Sequence, residues 1–136
     1  MTHDLAAGEV GSREWFDRYL AAFNEARSED YSAYYREDVE FLGRAATLTG
    51  RQAIVDHYRM IRSRIDEHIE VLTFVGSPQV IAAEIVTTLD PLVDWPDFPT
   101  GALLAGVRRQ SINFIFYDIL DGQFSRIRSA GFRRLS

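Results

Sequence analysis

The hydrophobic period changes once along this chain of 136 residues, at Glu67, and that change restricts the fold more than any other feature. Before it, apolar residues recur at helical spacing. Trp15, Phe16, Tyr19, Leu20, Phe23 and Ala26 form a broad stripe after Ser12, a good N-cap, and predict a helix of about four turns. From Glu67 the period is two, with Ile69, Val71, Thr73 and Val75 alternating against His68, Glu70, Leu72 and Phe74. A run of helices followed by a run of strands indicates α+β, with helices packed on one face of an antiparallel sheet.

The smaller signals fill in this plan. Residues 1–11 read as a loose arm and residues 12–136 as a single domain. Asp30 is placed to cap a short helix carrying Tyr31, Tyr34 and Tyr35, and Val39–Gly43 reads as a brief strand. Thr49-Gly50-Arg51-Gln52 has the form of a capping box, opening a helix with Ile54, Tyr58, Ile61 and Ile65 on one seam and His57 at its edge. Gly76-Ser77-Pro78 is a turn before a strand over Val80–Asp90. Residues 91–106 hold three of the four prolines and read as a long loop, of the kind that is functional or mobile. Arg109–Ile119 and Phe124–Phe132 are strands joined by Asp121-Gly122, a strong hairpin signal. Ile81, Ala83, Ile85 and Leu89 face opposite to Val80, Ala82 and Val86. With apolar residues on both faces, a homodimer packing sheet on sheet is expected.

Composition removes whole classes of chemistry. There is no cysteine, hence no disulfide, thiolate metal site or cysteine nucleophile. Every one of the 15 basic residues is arginine, so neither Schiff-base chemistry through a lysine nor a phosphate loop ending in lysine is available. Three histidines, one near the start, argue against a protein-only histidine metal cage. A net charge of −5 argues against nucleic acid as a partner, and no apolar run is long enough to span a membrane. Without a basic start and apolar core at Met1–Gly11, a cytoplasmic location is expected; the arginine usage fits a GC-rich bacterial genome. The charge is uneven: residues 1–99 hold 9 Arg against 18 Asp and Glu, whereas residues 100–136 hold 6 Arg against 2 Asp. Either the two parts pair within one fold, or the C-terminal part forms an anion-attracting wall.

The order of elements, with Tyr35-Arg36-Glu37-Asp38-Val39, Thr49-Gly50-Arg51-Gln52-Ala53-Ile54, Pro99-Thr100-Gly101 and Asp121-Gly122-Gln123-Phe124, resembles the nuclear transport factor 2-like superfamily in its SnoaL-like branch. The resemblance spans about residues 12–134. It implies a cystatin-like cone, a strongly bent sheet wrapped around the N-terminal helices with a pocket at its wide end. It also implies a small, apolar organic ligand and acid–base chemistry without a cofactor, as in ketosteroid isomerase, scytalone dehydratase, limonene epoxide hydrolase and the polyketide cyclases. Arg18-Tyr19-Leu20 is similar to the isomerase segment whose tyrosine donates to an oxyanion, which marks Tyr19 as a candidate pocket phenol. The isomerase's aspartate base falls on Phe41 or Gly43, the cyclases' late aspartate near Phe132, and a histidine common in the branch on Asp90.

The residues left for catalysis are Asp90 and Glu84 as carboxylates, His57 as a base near neutral pH, and Tyr19 as polariser. Glu84 sits mid-strand with Ala82 and Val86 on its face, with Arg126 and Arg128 as expected partners, and His68, beside Glu67 and Glu70, is expected to be exposed. Asn113, between Ile112 and Phe114, is placed to hydrogen-bond a ligand, with Trp15, Tyr58, Trp95, Phe98, Arg128 and Phe132 as further binding positions. Two functions are open on these residues: an isomerase, lyase or hydrolase of a small apolar molecule, or a non-catalytic ligand-binding or dimeric interaction domain.

Overall fold

The computed structural model describes residues 8–136. Its first helix, α1 (Arg13–Asn24), begins as the sequence requires: the Trp15 amide donates to Ser12 Oγ at 3.1 Å. It ends earlier than the apolar stripe suggests, because Ala26 takes a left-handed conformation (φ 56°) outside the helix. The short α2 (Ser28–Ser32) has Arg27 at its N-cap, so Asp30 lies in the first turn instead of capping it. Strand β1 (Tyr35–Leu42) starts before Val39, and a small β2 (Thr47–Thr49) follows. Thr49 therefore belongs to a strand, and α3 (Arg51–Arg62) is capped by Gly50 at φ 100° with no capping box.

The second part of the chain is four long strands: β3 (Ile65–Gly76), β4 (Val80–Pro91), β5 (Arg109–Leu120) and β6 (Gln123–Arg134). Together the strands make one curved, unclosed sheet in the order β2-β1-β6-β5-β4-β3. The sheet is mixed: β1 runs parallel to β6, while every other neighbour is antiparallel. Asp121 and Gly122, at φ 52° and 78°, form the tight β5–β6 turn with the positive angles its twist demands.

Register explains which residues face the helices. Reading across β3, β4 and β5, the inner rows are Glu67–Leu89–Arg109, Ile69–Thr87–Ser111, Val71–Ile85–Asn113, then Phe74–Ala83–Ile115. The jump from Val71 to Phe74 comes from an irregularity in the β3–β4 pairing, which reverses the alternation. Phe74 consequently packs on Phe16 at 5.6 Å, and Val75, expected on the face of Ile69, is 66% exposed on the other. At the narrow end the core is aromatic: Phe16, Tyr19 and Phe23 of α1 meet Tyr35, Tyr117 and Phe124. A second cluster of Ile61, Ile65, Leu89, Phe98 and Leu103 lies beneath the long loop.

That loop is tied down. Trp95 and Leu103 exchange backbone hydrogen bonds of 2.8 and 2.9 Å, and Arg64 lies over the Trp95 ring at 4.6 Å. Of the arm expected over residues 1–11, residues 1–7 lie outside the described residues. Gly8–Gly11 forms a turn against the sheet, with Val10 packed on the core. Among the described residues no helix is long and apolar enough to cross a membrane.

Candidate functional site

Between α3, the long loop and the inner face of β3–β6 lies a cavity of about 340 Å³. Its floor and α3 side are apolar, with Phe41, Ile61, Ile69, Ile85, Leu89 and Ile115. Set into that lining is one carboxyl, Glu67. Period-two alternation places it beside Ile69 on the inner face of β3, at the end of the row that continues through Leu89. Glu67 is only partly covered, because it opens on the cavity, and its carboxyl makes no hydrogen bond to another described residue. Removal from bulk water pushes its pKa from the ordinary 4.5 up to about 7, against the opposing pull of the Arg62 guanidinium. Arg62 is held off by donating to the Phe23 and Asn24 carbonyls at 2.6 and 3.3 Å.

Two α3 residues line the cavity with Glu67. Tyr58 lines the same cavity, its hydroxyl making no hydrogen bond to another described residue. Burial first, then the nearby Glu67 charge, hold the phenol well above its usual pKa, so it is a neutral donor at all ordinary pH. His57 packs edge-on against Tyr58 with ring centres 5.1 Å apart, and burial lowers its pKa below 6.5, leaving it neutral at pH 7. A carboxyl that is both acid and base near neutrality, beside a neutral phenol, is competent to move a proton on a bound molecule.

The β5–β6 side of the cavity is polar. Asn113, 5% exposed, donates to Thr87 Oγ1 at 3.0 Å and to Ser111 Oγ at 3.3 Å, and accepts from Arg44 Nη1 at 3.1 Å. Arg109, 7% exposed, clamps the long loop: it donates to the Thr100 carbonyl and hydroxyl and to the carbonyls of Gly101 and Ala102, at 2.5 to 3.1 Å. Its Nε is buried without a partner among the described residues. Arg133 and Arg134 complete this side, while the exposed Phe132 ring, next to them on β6, packs on Phe114 of the outer face.

Of the residues expected from sequence, His57, Tyr58, Phe98 and Asn113 thus share the cavity, and Phe132 borders it with its ring turned to Phe114 on the outer face; the others lie elsewhere. Tyr19 is a core residue whose hydroxyl is 2.7 Å from that of Tyr35. Trp15 is packed between Tyr34 and Phe124, because α1 fills the narrow end of the cone. Asp90 points to solvent and takes a two-pronged ion pair from Arg108 at 2.8 and 3.0 Å, which holds its carboxyl below the usual range. Glu84 is on the outer face, where its Oε1 accepts from Thr73 Oγ1 at 2.8 Å. Arg126 and Arg128, its expected partners, instead pair with Asp118 at 3.2 and 3.1 Å, which also keeps Arg128 off the cavity. Trp95 braces the loop from outside, stacked edge-on with Phe98, which does line the cavity along with Thr100. Glu67 and Arg44 were not among the expected site residues. For Glu67 the signal was present in its shared parity with Ile69 and Val71.

The family model of the SnoaL-like domain matches residues 16–125. No curated protein matches the sequence. Among solved structures, a SnoaL-like polyketide cyclase from Agrobacterium tumefaciens is 22% identical, with a TM-score of 0.69 over 88% of this chain and 89% of the other. A protein of ketosteroid isomerase-like fold from Catenulispora acidiphila, in complex with trimethylamine, is 12% identical, with a TM-score of 0.71 over 88% and 85%. An LEH-like epoxide hydrolase from M. tuberculosis is also 12% identical, with a TM-score of 0.68 over 86% and 79%. At these identities the likeness is one of fold.

Proposed function

This chain belongs to the SnoaL-like domain family, and from that premise we propose that it is a cofactor-independent acid–base enzyme acting on a small, largely apolar organic molecule. Glu67 is the proton-transferring group and Tyr58 the donor that polarises the substrate's oxygen. The observation that carries this reading is the Glu67 carboxyl, unpaired among the described residues and with a pKa of about 7 on the wall of an apolar cavity. At neutral pH such a carboxyl is present in both forms. It takes a proton from carbon as carboxylate and returns one as acid, the exchange that isomerases and lyases need. A neutral phenol beside it stabilises the charge that develops on oxygen. His57, neutral at pH 7, stands next to Tyr58 as a second polar group of the site.

Proton transfer is testable before the natural substrate is known. β-Tetralone, a small apolar ketone, is incubated with the protein in heavy water and its α-proton loss followed by NMR. The wild type is expected to accelerate exchange over buffer, Glu67→Gln to lose at least about 100-fold of that acceleration, and Glu84→Gln on the outer face to keep it. Equal exchange in the wild type and Glu67→Gln overturns the reading.

A homodimer through the sheet belongs to the same proposal. Val75 on β3 and Phe114 and Phe116 on β5, the strands that flank β4, are 66%, 41% and 46% exposed on the outer face, an apolar surface of the kind that marks interfaces. Sedimentation at twice the 15.5 kDa chain mass supports it, and a monomer at all concentrations refutes it.

A further inference from the structure

The arginines are unevenly employed. Of the 15, eight make ion pairs with acidic side chains. Three more are committed elsewhere: Arg51 to the Tyr35 carbonyl, Arg62 to the end of α1, and Arg64 to the Trp95 ring. The remaining four, Arg44, Arg109, Arg133 and Arg134, all line the cavity, and none forms an ion pair with an acidic side chain among the described residues, although Arg109 is clamped on the loop, Arg44 donates to Asn113 and Arg134 Nε donates to the Ser136 carbonyl at 2.6 Å. Among the described residues, the only acidic one in the lining is Glu67. In a protein of net charge −5, this is a local excess of positive charge in a half-enclosed, partly apolar space.

These side chains also repel one another. Burial, then Arg134 and Arg44, draw the Arg109 pKa below its ordinary value. Asn113 holds Arg44 at the mouth, where a Cβ at Gly131 would stand 2.9 Å from its guanidinium carbon. A nearly buried guanidinium with no acidic partner, among other cations, leaves a charge that a ligand can neutralise.

We infer that the cavity takes an amphipathic organic anion, a carboxylate or a phosphate monoester, whose charged oxygens meet Arg44, Arg133 and Arg134 while its apolar body reaches Glu67. This deepens the enzyme reading and rests on it for the role of Glu67. Distance supports the division of labour. Glu67 on β3 and Arg134 on β6 are three strands apart, roughly 14 Å along the sheet at the usual strand spacing and less across the curve. Arginine's planar fork suits the flat edge of a carboxylate or the oxygens of a phosphate. The selected substrate class is therefore a molecule with an anionic group at one end and its reactive carbon in an apolar part at the other.

The test compares naphthoate, naphthyl phosphate and neutral naphthylmethanol, of similar shape, by calorimetry at pH about 6, where Glu67 is mostly protonated. At least one anion is expected to bind about tenfold more tightly than the alcohol, with the preference falling at higher salt. The stronger of the two identifies the head group. Arg44→Gln combined with Arg134→Gln, both at exposed positions, is expected to remove the preference while leaving alcohol binding unchanged. Equal binding of all three probes overturns the anion site. If Glu67-dependent exchange of β-tetralone persists in that case, the enzyme reading stands without it. An anion preference that survives the double variant also overturns the assignment.

Discussion

Replacing Glu67 by Gln removes one ionisation and little volume, and its effect on stability must depend on pH. The folded chain holds this carboxyl at about 7, against an ordinary 4.5. Between these values the folded state binds a proton that the unfolded state has released, so stability falls as pH rises. This is opposite to the usual salt-bridged carboxylate, whose stabilisation is lost on acidification. At 1.36 kcal/mol per pH unit the full displacement is worth about 3 kcal/mol, and water in the cavity reduces this to about 2–3 kcal/mol. The surrounding groups are the neutral Tyr58 and His57 and the more distant Arg62, which already enters the value of about 7. Urea unfolding of wild type and Glu67→Gln, followed by tryptophan fluorescence, is therefore expected to diverge. Near pH 4.5 the two curves should differ by about 0.5 kcal/mol or less from this source, and near pH 8 the variant should be more stable by about 2–3 kcal/mol. A stability difference that stays flat from pH about 4.5 to 8 would refute the claim that this carboxyl is held away from water.

Tyr58→Phe is expected to leave the fold intact and slow β-tetralone exchange by about 10- to 1,000-fold, read by the same NMR assay. Tyr19→Phe is expected to cost about 1–2 kcal/mol in urea unfolding, by stranding the Tyr35 hydroxyl, with exchange unaffected. Asp90→Asn, which breaks only an exposed ion pair with Arg108, should change stability by less than about 1 kcal/mol and exchange not at all. Gly11→Ala should unfold at markedly lower urea, since a Cβ at φ 86° would overlap the Ser77 carbonyl.

Element order and the cone were legible because the period changes at Glu67 and because Asp121-Gly122 admits few turns. Less visible was the pairing of β1 with β6, a parallel contact between segments more than eighty residues apart that no local pattern encodes. The irregularity near Thr73 has no sequence mark either, and it put Phe74 and Val75 on faces opposite to those their alternation implied. Within the site, the polar wall was half readable. Asn113 stood out in an apolar strand, and the C-terminal excess of arginine was apparent. What could not be read was that Arg126 and Arg128 would be consumed by Asp118, leaving Arg44, from a turn far away in sequence, to join Arg133 and Arg134. Glu67 followed the rule of alternation but looked like one of several acids at a strand's start. Only the covering by α3 distinguishes it from exposed Asp66 and Glu70.

Arg109 grips the long loop chiefly through main-chain carbonyls, with a single side-chain oxygen, that of Thr100. Carbonyls are common to all residue types, so the clamp places few demands on which amino acids the loop contains. Outside Gly101, whose φ of 119° strains any other residue, the buried Phe98 and Leu103, Trp95 beneath Arg64, and Asp94, whose carboxylate accepts from the Ala105 amide, the segment is free to vary while keeping its path. Relatives built on this plan can accordingly change the shape and polarity of one cavity wall by loop sequence alone. The same freedom makes residues 99–102, with Gly101 kept, the natural place to begin redesigning what the cavity admits.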